Sequence, residues 1–97
     1  GIKVTETSSY LAILISIVSS LKDSVVPHDS FFFGELGLNG EIRPVANGYA
    51  RLNDAAKHGF KKAIIPKANA PKKAIAGLQI FPVSSLSEAL SALADLS

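Results

Sequence analysis

Lysine and arginine are concentrated in one part of this 97-residue chain. Eight of the ten basic residues lie between positions 43 and 73 with a single acid, Asp54, so this stretch has a formal charge of +7. The remaining two basic and seven acidic residues give −5, which leaves the net charge of +2. Such a block attracts polyanions by counterion release, although it can equally be an ordinary solvated face. The candidate DNA-binding residues are Arg43, Arg51, Lys57, Lys61, Lys62, Lys67, Lys72 and Lys73.

Three further side chains suggest catalytic chemistry only weakly. Glu35 and Glu41 flank a predicted turn and are candidates for a general acid and base, but glutamates beside a two-residue turn are more typical of solvated strands. His58 directly precedes Gly59 at the end of a predicted helix, where the helix dipole favours a cation. A structural histidine is therefore favoured over a catalytic one.

The composition excludes several classes of site. The chain has no cysteine and only two histidines, so it has no disulfide and no thiolate metal site, and a histidine-rich zinc site is not expected. A Walker A loop, G-x-G-x-x-G, H-E-x-x-H and C-x-x-C are all absent from the sequence. We therefore predict no metal and no cofactor for this segment.

The apolar run from Tyr10 to Val18 raises the question of a membrane segment. It is shorter than the ~20 residues that a spanning helix requires. A signal peptide is disfavoured by Glu6 and by the lack of a small-residue cleavage site after the run. A buried helix is the favoured interpretation, and we predict no membrane association.

Hydrophobic periodicity and turn residues predict a chain of alternating helices and strands. Asn39-Gly40 is a strong signal for a type I′ hairpin turn, and Ser85-x-x-Glu88 is a capping box before the last helix. The order of elements is that of an α/β or α+β domain. The predicted helices are 8–22, 49–58, a short one from 69 to 76, and 86–95, and the predicted strands are 31–38, 41–45, 63–65 and 78–83.

Two strings in the sequence resemble a known family. Residues 34–45, GELGLNGEIRPV, are similar to the signature of the Lon-protease-like domain. Residues 55–66, AAKHGFKKAIIP, followed by Asn69, resemble the C-terminal domain of the RadA (Sms) family of bacterial DNA repair proteins. The resemblance implies an α+β fold, the C-terminal part of a Lon-protease-like domain with a mixed sheet packed with helices. Residues 1–97 then form a single, incomplete domain whose N-terminal strands lie upstream.

The resemblance also bears on catalysis. Peptidases of the Lon type use a serine–lysine dyad, in which the lysine activates the serine hydroxyl. The family serine corresponds to Ser8, without its usual flanking glycines, and the family lysine corresponds to Tyr49. A tyrosine hydroxyl is not an equivalent base, so we predict a degenerate dyad and no catalytic residue in this segment.

The function implied by the resemblance is non-proteolytic. In the family, this domain follows a zinc finger and a RecA-like ATPase, and it serves hexamer assembly and sequence-independent binding of single-stranded or branched DNA in recombinational repair. The parent chain is then a cytoplasmic, DNA-dependent ATPase that binds ATP, Mg and Zn upstream of these residues. Two alternatives remain open. One is a Lon-type serine peptidase that uses Ser8, and the other is a pure oligomerisation module whose lysines are only solvated.

Overall fold

The computed structural model describes residue 15 and residues 27–96. Helices and strands both occur in it, and the predicted α+β class is confirmed. The predicted helix 8–22 lies outside the described residues except for Ile15, which is helical and fully buried. The described elements are β1 (Ser30–Phe32), β2 (Glu35–Leu36), β3 (Ile42–Arg43), α1 (Gly48–Lys57), β4 (Lys62–Pro66), a 3₁₀ turn (Lys67–Asn69), β5 (Gln79–Val83) and α2 (Leu86–Leu96).

Parallel and antiparallel pairing are both present, in two separate sheets of the described chain. The strands β1, β4 and β5 form a parallel sheet in the order β1-β4-β5, with Phe32 opposite Ile64 and Ile64 opposite Phe81. The strands β2 and β3 form an antiparallel pair, with Leu36 opposite Ile42. Because β4 is the central strand, we name the two ends of the parallel sheet after it. The amino end lies at Lys62 and the carboxyl end at Pro66.

The two faces of β4 contribute to two apolar cores. Ala63, Ile64 and Ile65 are all fully buried, as expected for a parallel strand that is covered on both sides. Ile64 belongs to one core together with Leu93 of α2. Ala63 and Ile65 belong to the other core together with Leu52 of α1. The two helices therefore cover opposite faces of the parallel sheet.

The predicted strand 31–38 is divided into two short strands, which corrects the extent of the predicted hairpin. Residues 30–32 pair in parallel with β4, and only residues 35–36 pair with β3. The physical reason is the aromatic run at 31–33, which has no polar face. Such a run fits a strand covered on both sides, whereas a hairpin strand with one solvated face alternates apolar and polar residues.

The hairpin turn is present, but the predicted type I′ geometry at Asn39-Gly40 is wrong. The N–H of Gly40 donates to the carbonyl of Gly37 (3.2 Å), and the N–H of Gly37 donates to the carbonyl of Glu41 (2.8 Å). Gly40 has a φ of 81°, whereas Asn47 is the only non-glycine residue of the described chain with a positive φ. The loop therefore contains three residues and ends on a left-handed glycine, as in a G1 bulge.

The connection between β4 and β5 requires another correction. The sequence predicts a helix from 69 to 76, but the structure has a 3₁₀ turn at Lys67–Asn69 and no helix in residues 70–78. Ala70 is extended (φ −59°, ψ 129°) because a residue before proline disfavours the helical conformation. Within residues 72–77, Ile75 is the side chain that packs against a core. A helix here would lack an apolar face.

The two described helices agree with the predictions to within one residue at each end. The Ser85 hydroxyl accepts a hydrogen bond from the Glu88 N–H (3.2 Å), and Glu88 Oε1 accepts one from the Ser84 N–H (3.0 Å). The predicted capping box is thus confirmed, with its second bond shifted by one residue. The helix α1 begins and ends one residue earlier than predicted.

Candidate nucleic-acid interface

The basic residues are divided between the two ends of the parallel sheet. Lys61 and Lys62 lie at the amino end of β4, and Lys67 follows its carboxyl end, roughly 15 Å away for a strand of this length. The helix α1 returns the chain from the carboxyl end to the amino end. Arg51, in the first turn of α1, therefore lies at the carboxyl end, and Lys57, in the last turn, lies at the amino end. Two candidate surfaces result, one at each end of the sheet.

A side-chain clamp holds the carboxyl end together. Asn69 Oδ1 accepts a hydrogen bond from the Val45 N–H (2.8 Å), and Asn69 Nδ2 donates one to the Val45 carbonyl (3.0 Å). The same amide lies over Gly48, where an added Cβ would come within 2.9 Å of Asn69 Cγ. Asn47 adopts the left-handed conformation (φ 60°, ψ 32°) just before this glycine. The Asn69 clamp thereby ties the loop before α1 to the chain after β4 and fixes where α1 begins.

The position of the family lysine lies beside the Asn69 clamp. Tyr49 is the second residue of α1 and is 57% exposed, while Arg51 in the same turn is half-buried. Ser8, the other dyad position, lies outside the described residues. The degenerate dyad therefore stays a prediction.

Arg43 forms an exposed ion pair in the hairpin. Its Nη2 lies 3.3 Å from Glu41 Oε2, and Glu41 Oε1 accepts a hydrogen bond from the Asn39 N–H (3.0 Å). The Asn39 N–H and, to a smaller extent, Arg43 hold the pKa of Glu41 below its ordinary value. Glu35 lies opposite Arg43 in the strand pair. This geometry favours the interpretation of both glutamates as solvated strand residues. For Glu41, a carboxylate kept in its charged form is also a poor proton donor at neutral pH.

The basic side chains of the candidate set differ in their exposure to solvent. Lys62 Nζ donates to the Leu96 carbonyl at 3.4 Å, where the last turn of a helix favours a cation. Arg51 and Lys62 are half-buried. The exposed lysines of the candidate set are Lys57, Lys61, Lys67, Lys72 and Lys73. Lys72 and Lys73 lie in the connection between β4 and β5, shortly after the clamp residue Asn69.

A groove opens at the amino end of the sheet. It has a volume of about 300 Å³, and we call it the amino-end groove; its walls are formed by His28, Asp29, His58, Gly59, Phe60 and Lys61. The Asp29 carbonyl accepts hydrogen bonds from the N–H groups of Lys61 (2.9 Å) and Lys62 (3.3 Å). These bonds join the chain before β1 to the chain before β4, so two distant parts of the sequence form one concave site.

Two residues of the amino-end groove are held in place by contacts behind it. The Phe60 ring packs against Phe31 with a centroid separation of 5.4 Å and an interplanar angle of 52°. Phe31 in turn meets the fully buried ring of Phe33 edge-on at 5.8 Å. His58 caps the end of α1, as predicted, and its Nδ1 lies 2.8 Å from the Asp54 carbonyl oxygen.

Neither His28 nor Phe60 is among the site residues predicted from the sequence. His28 and His58 are far apart in the chain, and no spacing rule connects them. They come together because β1 pairs with β4 in parallel. Phe60, however, stands between His58 and Lys61, and an aromatic residue among basic ones is a signal for nucleic-acid binding that the sequence does contain.

The sequence matches a known family over most of its length. Residues 2–69 match the family described as subunit ChlI of Mg-chelatase. The chain belongs to the ChlI family. The matched residues include the amino-end groove and the Asn69 clamp, whereas β5 and α2 follow them.

Curated relatives of this ChlI-family chain are DNA repair proteins. The chain is 59% identical over 96 residues to DNA repair protein RadA of Escherichia coli, 55% over 93 residues to that of Pseudomonas aeruginosa and 42% over 95 residues to that of Bacillus subtilis. The matches cover 99%, 96% and 93% of this chain, but 21%, 20% and 20% of the relatives. The predicted resemblance to the RadA family is confirmed, and the chain spans about a fifth of the length of these relatives.

The described part of the ChlI-family chain contains neither a metal cluster nor a membrane-spanning helix. Among the residues that the structure describes, no three His, Cys, Asp or Glu side chains are grouped so that they could hold one metal ion. Neither of the two helices within residues 27–96 is long and apolar enough to cross a membrane. That the segment uses no cofactor stays a prediction.

Proposed function

We propose that this chain is a non-proteolytic, Lon-like domain of a RadA-type DNA repair protein, and that it binds DNA and takes part in assembly. The observation that carries the proposal is the 59% identity over 96 residues to a protein named DNA repair protein RadA. In this proposal the parent protein is a cytoplasmic, DNA-dependent ATPase of recombinational repair. It binds ATP, Mg and Zn outside these residues, and its DNA is single-stranded or branched.

DNA binding is supported by exposed lysines at both ends of the sheet. Lys57 and Lys61 lie at the amino end, and Lys67, Lys72 and Lys73 follow the carboxyl end. Lysine side chains neutralise phosphates without reading base sequence. Binding is therefore sequence-independent and weakens as salt rises, because each neutralised phosphate releases counterions.

Paired substitutions in the full-length protein test this binding. The pairs are Lys57 with Lys61 and Lys72 with Lys73, each changed to Ala, and affinity for a labelled DNA is measured by fluorescence anisotropy. Each pair is expected to weaken binding and to leave oligomer size by light scattering unchanged. Lys22→Ala, outside the basic stretch, serves as the control. If both pairs bind DNA like the parent protein, these lysines are only solvated and the proposal reduces to an oligomerisation module.

The proposed lack of peptidase activity is supported by Tyr49. A dyad base must take a proton from the serine hydroxyl, and the side chain at this position is a phenol that is 57% exposed. The alternative, a Lon-type peptidase that uses Ser8, predicts labelling of that serine by a fluorophosphonate. It also predicts casein cleavage that disappears in Ser8→Ala. We expect neither labelling nor cleavage.

Assembly is supported by apolar surface beside the edge strand β5. A groove of about 370 Å³ runs along this strand and is lined largely by apolar side chains, among them Ile75, Ile80 and Pro82. Apolar surface of this kind often marks a protein–protein contact. We propose that the full-length protein forms a ring, a hexamer in the RadA family. Light scattering that shows a monomer at all concentrations would contradict this part of the proposal.

A further inference from the structure

We propose that the amino-end groove receives one base and its adjoining phosphate from a single-stranded nucleic acid. This inference rests on the proposed function and gives it a site. The groove combines a partly exposed aromatic ring, two histidines and an exposed lysine in one concavity. These are the chemical groups that stack on a base and contact a phosphate.

Phe60 is the proposed stacking surface. The ring is half-buried and leans on Phe31, which is itself anchored by the fully buried Phe33. One side of Phe60 is thus fixed by the apolar core, and its exposed part forms a wall of the groove. A ring held in this way loses little conformational entropy when a base stacks on it.

His58 presents a defined atom to a ligand. A carbonyl oxygen only accepts hydrogen bonds, so the contact of 2.8 Å between His58 Nδ1 and the Asp54 carbonyl assigns a proton to Nδ1. The other ring nitrogen, Nε2, can then form a hydrogen bond with a ligand. It accepts from a base N–H when the imidazole is neutral and donates to a phosphate when the imidazole is charged.

Attraction between positive charges and phosphates cannot by itself account for binding at the groove. Lys61 and Asp29 are part of the wall, and Lys57 and Asp54 lie nearby in the last turn of α1, before His58. The two formal positive charges of these lysines are therefore balanced by two negative charges. Asp29 is an acceptor suited to the amino group of a base edge. Affinity at this end must come from stacking and hydrogen bonds as well as from charge.

The size of the groove selects a single strand. A volume of about 300 Å³ is at the lower limit for small-ligand pockets. It accommodates one nucleotide unit and not a duplex. A base inside a duplex is stacked and paired on both sides, and placing it on Phe60 would cost the energy of unstacking.

Substitution of Phe60 in the full-length protein tests the inference. Phe60→Leu keeps an apolar contact with Phe31 but removes the aromatic face, and Phe60→Tyr restores that face. Binding of a labelled oligo-dT and of a duplex of equal length is followed by anisotropy. We expect Phe60→Leu to weaken oligo-dT binding by about fivefold or more, the loss of one stacked base. Duplex binding should stay unchanged, and Phe60→Tyr should bind like the parent protein.

Three outcomes would overturn the inference. In one, Phe60→Leu binds oligo-dT with parent affinity while the Lys72/Lys73 pair still weakens DNA binding, so that the groove proposal fails and the proposed function stands. In another, Phe60→Leu weakens oligo-dT and duplex binding equally. In the last, free dTMP displaces oligo-dT at equal nucleotide concentration, which would assign the groove to a mononucleotide. Thermal unfolding of each variant shows whether it is folded before binding is compared.

Discussion

The two ends of the parallel sheet are built differently, although both draw on the same basic stretch of sequence. At the carboxyl end, Asn69 binds both the N–H and the carbonyl of Val45 and lies over Gly48. At the amino end, the wall residues instead leave a groove of about 300 Å³. One end is closed by side-chain to main-chain hydrogen bonds, and the other has room for a ligand.

This difference shows that basic residues clustered in the sequence do not form a single site in the fold. The strand β4 separates Lys61 from Lys67 by its full length. Lysines after the carboxyl end extend from a connection with few core contacts and are suited to long-range attraction of phosphates. Lys61 instead adjoins Phe60 and His58, which add directional contacts. We therefore expect the two ends to contribute unequally to salt dependence and to strand preference.

The largest effect is expected from Leu52→Ala, which should destabilise both ends of the sheet. Leu52 is fully buried in the core between α1 and the sheet, and α1 connects the Asn69 clamp to His58. Loss of this side chain should lower the free energy of unfolding by about 2–5 kcal/mol, measured by urea denaturation. Leu38→Ala is the matched control, because Leu38 is fully exposed and should change stability by less than about 0.5 kcal/mol. Equal effects of the two changes would contradict the packing of α1.

A smaller and local effect is expected from Asn69→Ala. The change removes two hydrogen bonds and leaves the Val45 N–H and carbonyl without those partners, which should cost about 2 kcal/mol. Hydrogen exchange should quicken at the Val45 amide more than at the Lys61 amide, which is bonded to Asp29 at the other end. Asn69→Asp keeps the acceptor for the Val45 N–H but places a carboxylate oxygen against the Val45 carbonyl, so it should not restore the stability of the parent protein. Equal acceleration at both amides would show that the two ends are not independent.

The smallest effect is expected from Glu41→Gln, in the hairpin, outside both the Asn69 clamp and the amino-end groove; its backbone pairs with Ser85 just after the carboxyl end of β5. The pKa of Glu41 is held below its ordinary value of 4.5, chiefly by the Asn39 N–H. A carboxylate with a depressed pKa stabilises the folded state above its unfolded pKa, and this contribution is lost as the pH falls through the folded pKa. The stability difference between the parent protein and Glu41→Gln should therefore shrink between pH 7 and pH 3. A difference that grows on acidification would reverse the assigned sign.

Local patterns in the sequence predict much of the fold. The apolar run of β4 and the capping box at Ser85 produce the expected elements, because their determinants lie within a few residues. The glycine-rich stretch produces a hairpin at the expected place, with another turn type and a shorter first strand. The parallel pairing of β1 with β4 is missed, because the partners are distant and the hairpin explains the intervening residues equally well. The failed helix at 69–76 has a local cause, since Pro71 disfavours a helical conformation at Ala70.

The candidate site is predicted only in part. Charge clustering identifies the lysines, but it does not show that β4 divides them. The Asn69 clamp depends on one amide reaching Val45 across a large sequence separation, for which composition provides no signal. The amino-end groove likewise depends on β1 bringing His28 beside His58. Tertiary pairing, and not local propensity, creates both features.

The salt dependence of DNA binding tests the central claim most directly. Affinity of the full-length protein for a labelled oligo-dT is measured over a range of NaCl concentrations, for the parent protein and for the variant with Lys67, Lys72 and Lys73 changed to Gln. If about four phosphates of the single strand are neutralised, the log–log slope of the parent protein should be near −3. The variant should show a flatter slope, by about 0.7 for each lost phosphate contact. A parent slope near zero, or an identical slope in the variant, would contradict DNA binding by this basic stretch.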